Sequence, residues 1–169
     1  MGLNQGGLME HTNSQLPQYD HKNYQRDEVY QTLESFAEAI RDGNISKIMS
    51  FYSDDIIAYD MMPPLEFTGK DNYQKSWQDC FTTFFKFPVH FDYEKQKFNI
   101  DGDVAFTHAL IHMSGEPKNG EEKVDMWMRN TICLKKFGDK WLITHEHNSI
   151  PLDNEMKGLA NLQPQNLLH

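Results

Sequence analysis

Apolar and polar positions alternate most clearly in the last third of the chain. Two runs rich in β-favouring residues flank Phe137-Gly138-Asp139-Lys140, a turn signal, and together predict a β-hairpin over 125–151. Successive strand side chains point to opposite faces, so the second run sorts itself. Trp141, Ile143, His145, His147 and Ser149 share one face; Leu142, Thr144, Glu146 and Asn148 share the other. With Gly138-Asp139 as the loop, Leu134 faces Ile143, Ile132 faces His145 and Asn130 faces His147. That register gathers Met126, Met128, Ile132, Leu134, Trp141 and Ile143 on one side, with Asn130, His145 and His147 among them. An apolar face whose far end turns polar suits a binding pocket. A one-residue bulge would reverse part of this pattern and bring Arg129 and Thr131 round instead.

Upstream the period changes. Val29, Leu33, Phe36, Ala37 and Ile40 recur at helical spacing from about Arg26, and Gly43 supplies the stop. Asn44 caps a short helix over 45–51 that buries Ile45, Ile48 and Met49. A strand over 56–60 follows, broken by Pro63-Pro64. Thr68 or Asp71 then starts a third helix with an aromatic stripe of Tyr73, Trp77, Phe81 and Phe84. Strands over 89–100 and 104–114, joined by Asp101-Gly102, lead into the hairpin. Three helices and one early strand before a long antiparallel meander predict an α+β fold, a curved sheet wrapped against the helices with a cavity inside. Residues 1–22 read as a disordered or loosely docked tail, 23–152 as the domain and 153–169 as a C-terminal extension. Leu159, Leu162, Leu167 and Leu168 are the residues by which the extension could dock.

Composition narrows the function. A formal charge of −9 with no basic stripe argues against nucleic acid as a partner. No apolar run is long enough to span a membrane, no signal-peptide core stands at the N-terminus, and the two cysteines, Cys80 and Cys133, show no disulfide spacing. These features predict a cytoplasmic protein with reduced thiols. No cofactor motif is present, neither a glycine-rich phosphate loop nor a zinc spacing, and no cofactor is expected.

Three local stretches carry a family resemblance: the helix–Gly–helix opening that ends in FYSDDIIAYD, the loop that closes with FTGKD, and the ending GDKWLITHEHNSIP. Their order and spacing resemble the nuclear transport factor 2-like superfamily, in its SnoaL-like and ketosteroid isomerase-like branch. The ending is also similar to the calcium/calmodulin-dependent kinase II association domain. The resemblance implies a cone-shaped barrel, and it covers isomerases, cyclases, dehydratases and non-catalytic assembly modules alike.

Within that resemblance Asp60 matches the isomerases' general base, a carboxylate that lifts a proton from carbon beside a carbonyl. An ordinary Asp at a strand end is the competing reading. The position of the isomerases' tyrosine donor, counted from Gly43, is Phe36. Their second donor, a protonated acid, falls near Trp127-Met128-Arg129, where no carboxylate stands. Steroid isomerisation itself is therefore not expected, and His145, His147, Asn130 or Arg129 would have to supply donors. His145 and His147, spaced for one strand face, are expected to act with Asp60; Tyr59, Trp77, Phe106, His108, Arg129 and Asn130 are the expected ligand-binding residues. A metal would need a third ligand from His108, His112 or Asp60, and none is expected. Arg129 and Glu146 can alternatively form an outer ion pair. The expected partners are a small molecule in the cone and a second copy of the chain. The latter would pack on an outer sheet face carrying Trp127, Thr131, Cys133 and Leu142. A non-catalytic binding or assembly module is the alternative to an enzyme acting on a small apolar carbonyl compound.

Overall fold

The computed structural model describes residues 21–164. Helix α1, His21–Arg41, starts earlier than the apolar period does, and buries Val29, Leu33, Phe36, Ala37 and Ile40 on one side. Full burial of the valine, leucine, phenylalanine and isoleucine side chains contributes roughly 1.5–3 kcal/mol each. Gly43 ends the turn at φ 67°, and a Cβ there would lie 2.8 Å from the Phe87 ring, so conformation and space both require glycine. Asn44 caps α2, Ile45–Met49, its side-chain oxygen accepting from the Lys47 N–H at 3.0 Å. Strand β1 is Tyr52–Tyr59, longer than predicted, and β2 is Phe67–Thr68, a pair too short to leave a periodic signal. Helix α3, Lys70–Thr83, buries Tyr73 and Phe81 and half-buries Trp77. Phe84, the last of the predicted stripe, falls beyond the helix and is half exposed.

Strands β3 (His90–Asp101), β4 (Val104–Gly115), β5 (Val124–Phe137) and β6 (Lys140–Ser149) form the antiparallel meander. The sheet order is β2-β1-β6-β5-β4-β3. β1 therefore inserts beside the last strand, and it runs parallel to β6, which makes the sheet mixed. Phe36 packs edge-on against Phe51, Tyr52 and Trp77 at ring separations of 5.8, 5.5 and 6.5 Å, tying α1 to α3 and the inner face of β1.

The hairpin closes on Gly138-Asp139 as its turn residues dictate, with Phe137 opposite Lys140 and Leu134 opposite Ile143. The ladder then slips: Cys133 faces His145, so Thr144 is an extra residue in β6. Its hydroxyl donates to the Cys133 carbonyl at 3.3 Å. Beyond this bulge Ile132 faces Glu146, Thr131 faces His147 and Asn130 faces Asn148. The expected pairings of Ile132 with His145 and Asn130 with His147 are thus displaced by one residue. Because strand side chains have period two, that displacement exchanges the faces of everything after Thr144.

After β6 the chain turns back on itself, with the Leu159 N–H donating to Pro151 O at 2.8 Å. The Ala160 carbonyl accepts from the Trp127 N–H at 2.6 Å, at the end of β5 that β6 does not reach. Leu162 is exposed, whereas Leu167, Leu168 and most of the expected N-terminal tail lie outside the described residues. No helix among the described residues is long and apolar enough to cross a membrane.

Candidate functional site

Asp60 is the first residue after β1, where the chain leaves the sheet and turns toward α3. Its carboxylate accepts from the Met61 N–H at 2.6 Å and from the Tyr73 hydroxyl at 3.2 Å. Burial raises its pKa above the ordinary aspartate value. The N–H of Met61, the Tyr73 hydroxyl and the N–H of Met62 all pull the other way without cancelling the effect.

A second carboxyl shares the interior. Glu146, turned inward by the bulge, is 3 % exposed. The Tyr52 hydroxyl donates to its Oε2 at 2.5 Å, and the Asn148 and Asn130 amides donate to Oε1 at 3.2 and 3.4 Å. Asn130 also donates to Asn148 Oδ1 at 2.8 Å. Burial pushes Glu146 up to about 7; the Tyr52 hydrogen bond opposes this, the charge of Asp60 adds to it, and the two amides again oppose it. The Tyr52 and Tyr73 rings meet edge to face at 5.2 Å, linking the two carboxyl sites. Burial, followed by the field of Glu146, holds the phenols of Tyr52, Tyr73 and Tyr93 well above their ordinary pKa. They stay protonated and available as donors. A carboxyl that is partly protonated near neutrality can give or take a proton at little cost, which general acid–base chemistry requires.

The expected site residues divide between two faces. Asp60, Asn130 and Trp77 belong to the interior, Trp77 with its ring 6.0 Å from that of Tyr73. His145 and His147 do not; the bulge at Thr144 puts them on the outer face, where the Tyr59 ring lies 4.9 and 5.7 Å from theirs. His145 Nδ1 is 2.9 Å from the Ile57 carbonyl. Tyr59 alternates away from the buried Ala58 and is exposed. Phe106 and His108 alternate with the buried Ala105, Thr107 and Ala109, and so face outward as well. Arg129 is exposed on the outer face and cannot pair with Glu146, which the sheet separates from it. The suggested convergence of the histidines with Asp60 on a metal fails for the same reason. Among the described residues no group of three His, Cys, Asp or Glu side chains is placed to hold one.

Glu146, Tyr52, Tyr73, Tyr93 and Asn148 are members of this interior network that sequence reasoning did not name as candidates. Tyr73 was visible as part of the α3 stripe, and Tyr52 stands within FYSDDIIAYD, but only the bulge gives Glu146 its place. The polar run from Thr144 to Ser149 contains no apolar residue that would signal which face is inside. An open cleft of about 590 Å³ lies elsewhere, along the free edge of β3, and is lined by Gln25, Arg26, Gln96, Lys97, Phe98 and His108 among others. It shares no residue with the carboxyl network.

A model of the SnoaL-like domain matches residues 29–153. An NTF2-like protein of unknown function from Pseudomonas putida KT2440 is 31% identical, over 84% of this chain and 98% of its own, with a TM-score of 0.75. A ketosteroid isomerase-like protein from Erwinia carotovora atroseptica SCRI1043 shares the fold at 16% identity and TM-score 0.65, over 75% of this chain and 95% of its own. So does the association domain of C. elegans CaMKII, at 14% identity and TM-score 0.61, over 77% and 98%. No curated protein matches the chain in sequence.

Proposed function

Since the chain belongs to the SnoaL-like domain family, we propose that it binds a small molecule against the inner face of its sheet and performs acid–base chemistry there, with Asp60 as general base. One observation carries this reading: two carboxyls, the half-buried Asp60 and the buried Glu146, are held by the phenols of Tyr73 and Tyr52, whose rings are in contact. The substrate is a small, largely apolar carbonyl compound. Asp60 takes a proton from the carbon beside the carbonyl, the electron pair of that C–H bond moves onto the carbonyl oxygen, and a protonated Glu146 is the group able to return a proton. Reactions of isomerase, cyclase or dehydratase type share this first step. His145 and His147 have no part in it, because they face away.

The test is exchange of the α-hydrogens of 2-tetralone in deuterium oxide, followed by NMR. The protein should accelerate exchange, and Asp60→Asn should lose on the order of 100-fold, the usual contribution of a positioned base. Equal exchange by the two proteins would overturn the assignment.

A second reading concerns the outer face and is compatible with the first. Ile57 and Tyr59 on β1 and Phe106 on β4 are 40, 40 and 48% exposed on one face of the sheet, with β6 and β5 between them. Phe106, Cys133, His145 and Ile57 lie in register across β4, β5, β6 and β1, as do His108, Thr131, His147 and Tyr59. A two-fold pairing of such faces would make a homodimer and cover this apolar surface. Thr131 and Cys133, expected on this face, lie in these rows, whereas Trp127 is already buried, stacked on His112 at 4.5 Å.

A further inference from the structure

Buried polar groups in a folded chain almost always have partners, so those without one point to what the chain was built to hold. Three such atoms belong to the interior network: Trp77 Nε1, the Tyr93 hydroxyl oxygen and Asn130 Oδ1, each out of solvent and without a hydrogen-bond partner among the described residues. Each is tied independently to the carboxyl cluster. The Trp77 ring packs edge-on to Tyr73, the donor to Asp60, at 6.0 Å. Tyr93 stands on the inner face opposite Ile111 and feels the field of Glu146. Asn130 spends its amide on Glu146 and Asn148, which leaves its carbonyl oxygen free. Ser53 Oγ and Thr107 Oγ1 are also without partners, but nothing links them to the carboxyls, and Gln96 Nε2 belongs to the cleft at the β3 edge.

The unused chemistry is two donors and one acceptor. Charge adds a further restriction: among the described residues no lysine or arginine bonds to Asp60 or Glu146. Arg41, the cation whose charge reaches Tyr93, is committed to Glu34 at 2.8 Å, Asp92 at 2.9 Å and the Phe91 carbonyl at 2.9 Å. An anionic ligand would meet carboxylates with nothing to offset them.

We propose that the ligand is an uncharged molecule bearing both an acceptor oxygen and a hydroxyl or N–H group, its oxygen taken by the Tyr93 hydroxyl and Trp77 Nε1 and its donor by Asn130 Oδ1. This rests on the proposed interior site and narrows its substrate class to neutral hydroxy-carbonyl compounds, with carboxylic acids and phosphate esters excluded.

The test is calorimetric or fluorescence binding at pH 7.5 of three probes of one size: 6-hydroxy-2-tetralone, naphthalene and 2-naphthoate. The hydroxy-ketone should bind at least tenfold more tightly than the carboxylate. Tyr93→Phe should weaken the hydroxy-ketone about fivefold, the value of one neutral hydrogen bond, and leave naphthalene unchanged. The same variant should unfold at the same or a higher temperature, since it removes an unpaired buried hydroxyl; a merely structural role for Tyr93 would lower it. Trp77→Phe gives an independent check on the second donor, with the same contrast between hydroxy-ketone and naphthalene. Equal affinity for 2-naphthoate, indifference of the hydroxy-ketone to both variants, or no binding of it at millimolar concentration would each overturn the proposal. None of these measurements involves turnover, so failure of Asp60 as a base and failure of this ligand class are separately visible.

Discussion

The β5–β6 hairpin has two halves that obey the same alternation and reach opposite results. From the turn to Ile143 every second residue of β6 packs inward, and Trp141 and Ile143 are buried where their hydrophobicity requires. Past Thr144 the same count would bury His145 and His147, yet Glu146 is buried and the imidazoles stand outside. The first half is fixed by apolar burial, which a sequence displays. The second half is all polar, so transfer free energy has little preference between its faces, and one extra residue decides. The acidic interior is thus a product of register, where the core is a product of composition.

Giving Thr144 a partner, by inserting one residue between Cys133 and Leu134, attacks this contrast most directly. A continuous ladder would drive His145 and His147 inward and strip Glu146 from Tyr52 and the two asparagines. The expected cost exceeds ~3 kcal/mol in denaturant unfolding, with outright failure to fold as the extreme. A loss below ~1 kcal/mol would mean that the bulge does not set the inversion.

The second way to sharpen the contrast is pH. Glu146 is pushed up from 4.5 to about 7, so between those values the folded chain binds more protons at this site than the unfolded chain does. Its contribution to stability is fully present below pH 4.5 and is lost as pH rises through 7, a change of ~3 kcal/mol. Asp60, also raised by burial, contributes with the same sign. Glu146→Gln should flatten this part of the profile and make the protein more stable than the wild type at pH 8. An unchanged slope between pH 5 and 8 in the variant would refute the assignment.

The smallest effect is expected on the outside. Phe106→Lys should alter the stability of the isolated chain by no more than ~0.5 kcal/mol and leave ketone exchange unchanged. It should halve the sedimenting mass if this face joins two copies. A monomeric wild type at micromolar concentration would remove the dimer and leave the outer face unexplained.

The contrast also explains what could be read beforehand. The period of Val29, Leu33 and Phe36, the cap at Asn44 and the turn at Gly138 are local and mechanistic, and each element appears where that chemistry puts it. The direction of β1 is a different matter, because its neighbour is β6, distant in sequence, and nothing within residues 52–59 encodes a parallel partner. Of the polar candidates, Asp60 carries a family resemblance and turns inward beside Tyr73. Phe106, His108 and Arg129 had chemistry in their favour, yet alternation carries all three outside, Phe106 and His108 against Ala105, Thr107 and Ala109, and Arg129 against Met128 and Asn130. Alternation without a bulge puts Glu146 on the outer face, within reach of Arg129 as an alternative ion pair; the slip beside Cys133 turns it inward instead.

The parallel seat of β1 against β6 has a consequence for how the molecule is made. Tyr52 and Glu146 are separated by 94 positions, so β1 leaves the ribosome long before its neighbour exists. Until Lys140–Ser149 follows, β1 lacks its parallel partner strand and Asp60 lacks the second carboxyl. Closure of the sheet and creation of the acidic interior are then one late event. It must meet the closure entropy of a loop spanning 94 positions, as non-local pairings do. A chain cut before Lys140 keeps Asp60 and Tyr73 and loses Glu146 and Asn148, the half of the site that β6 brings.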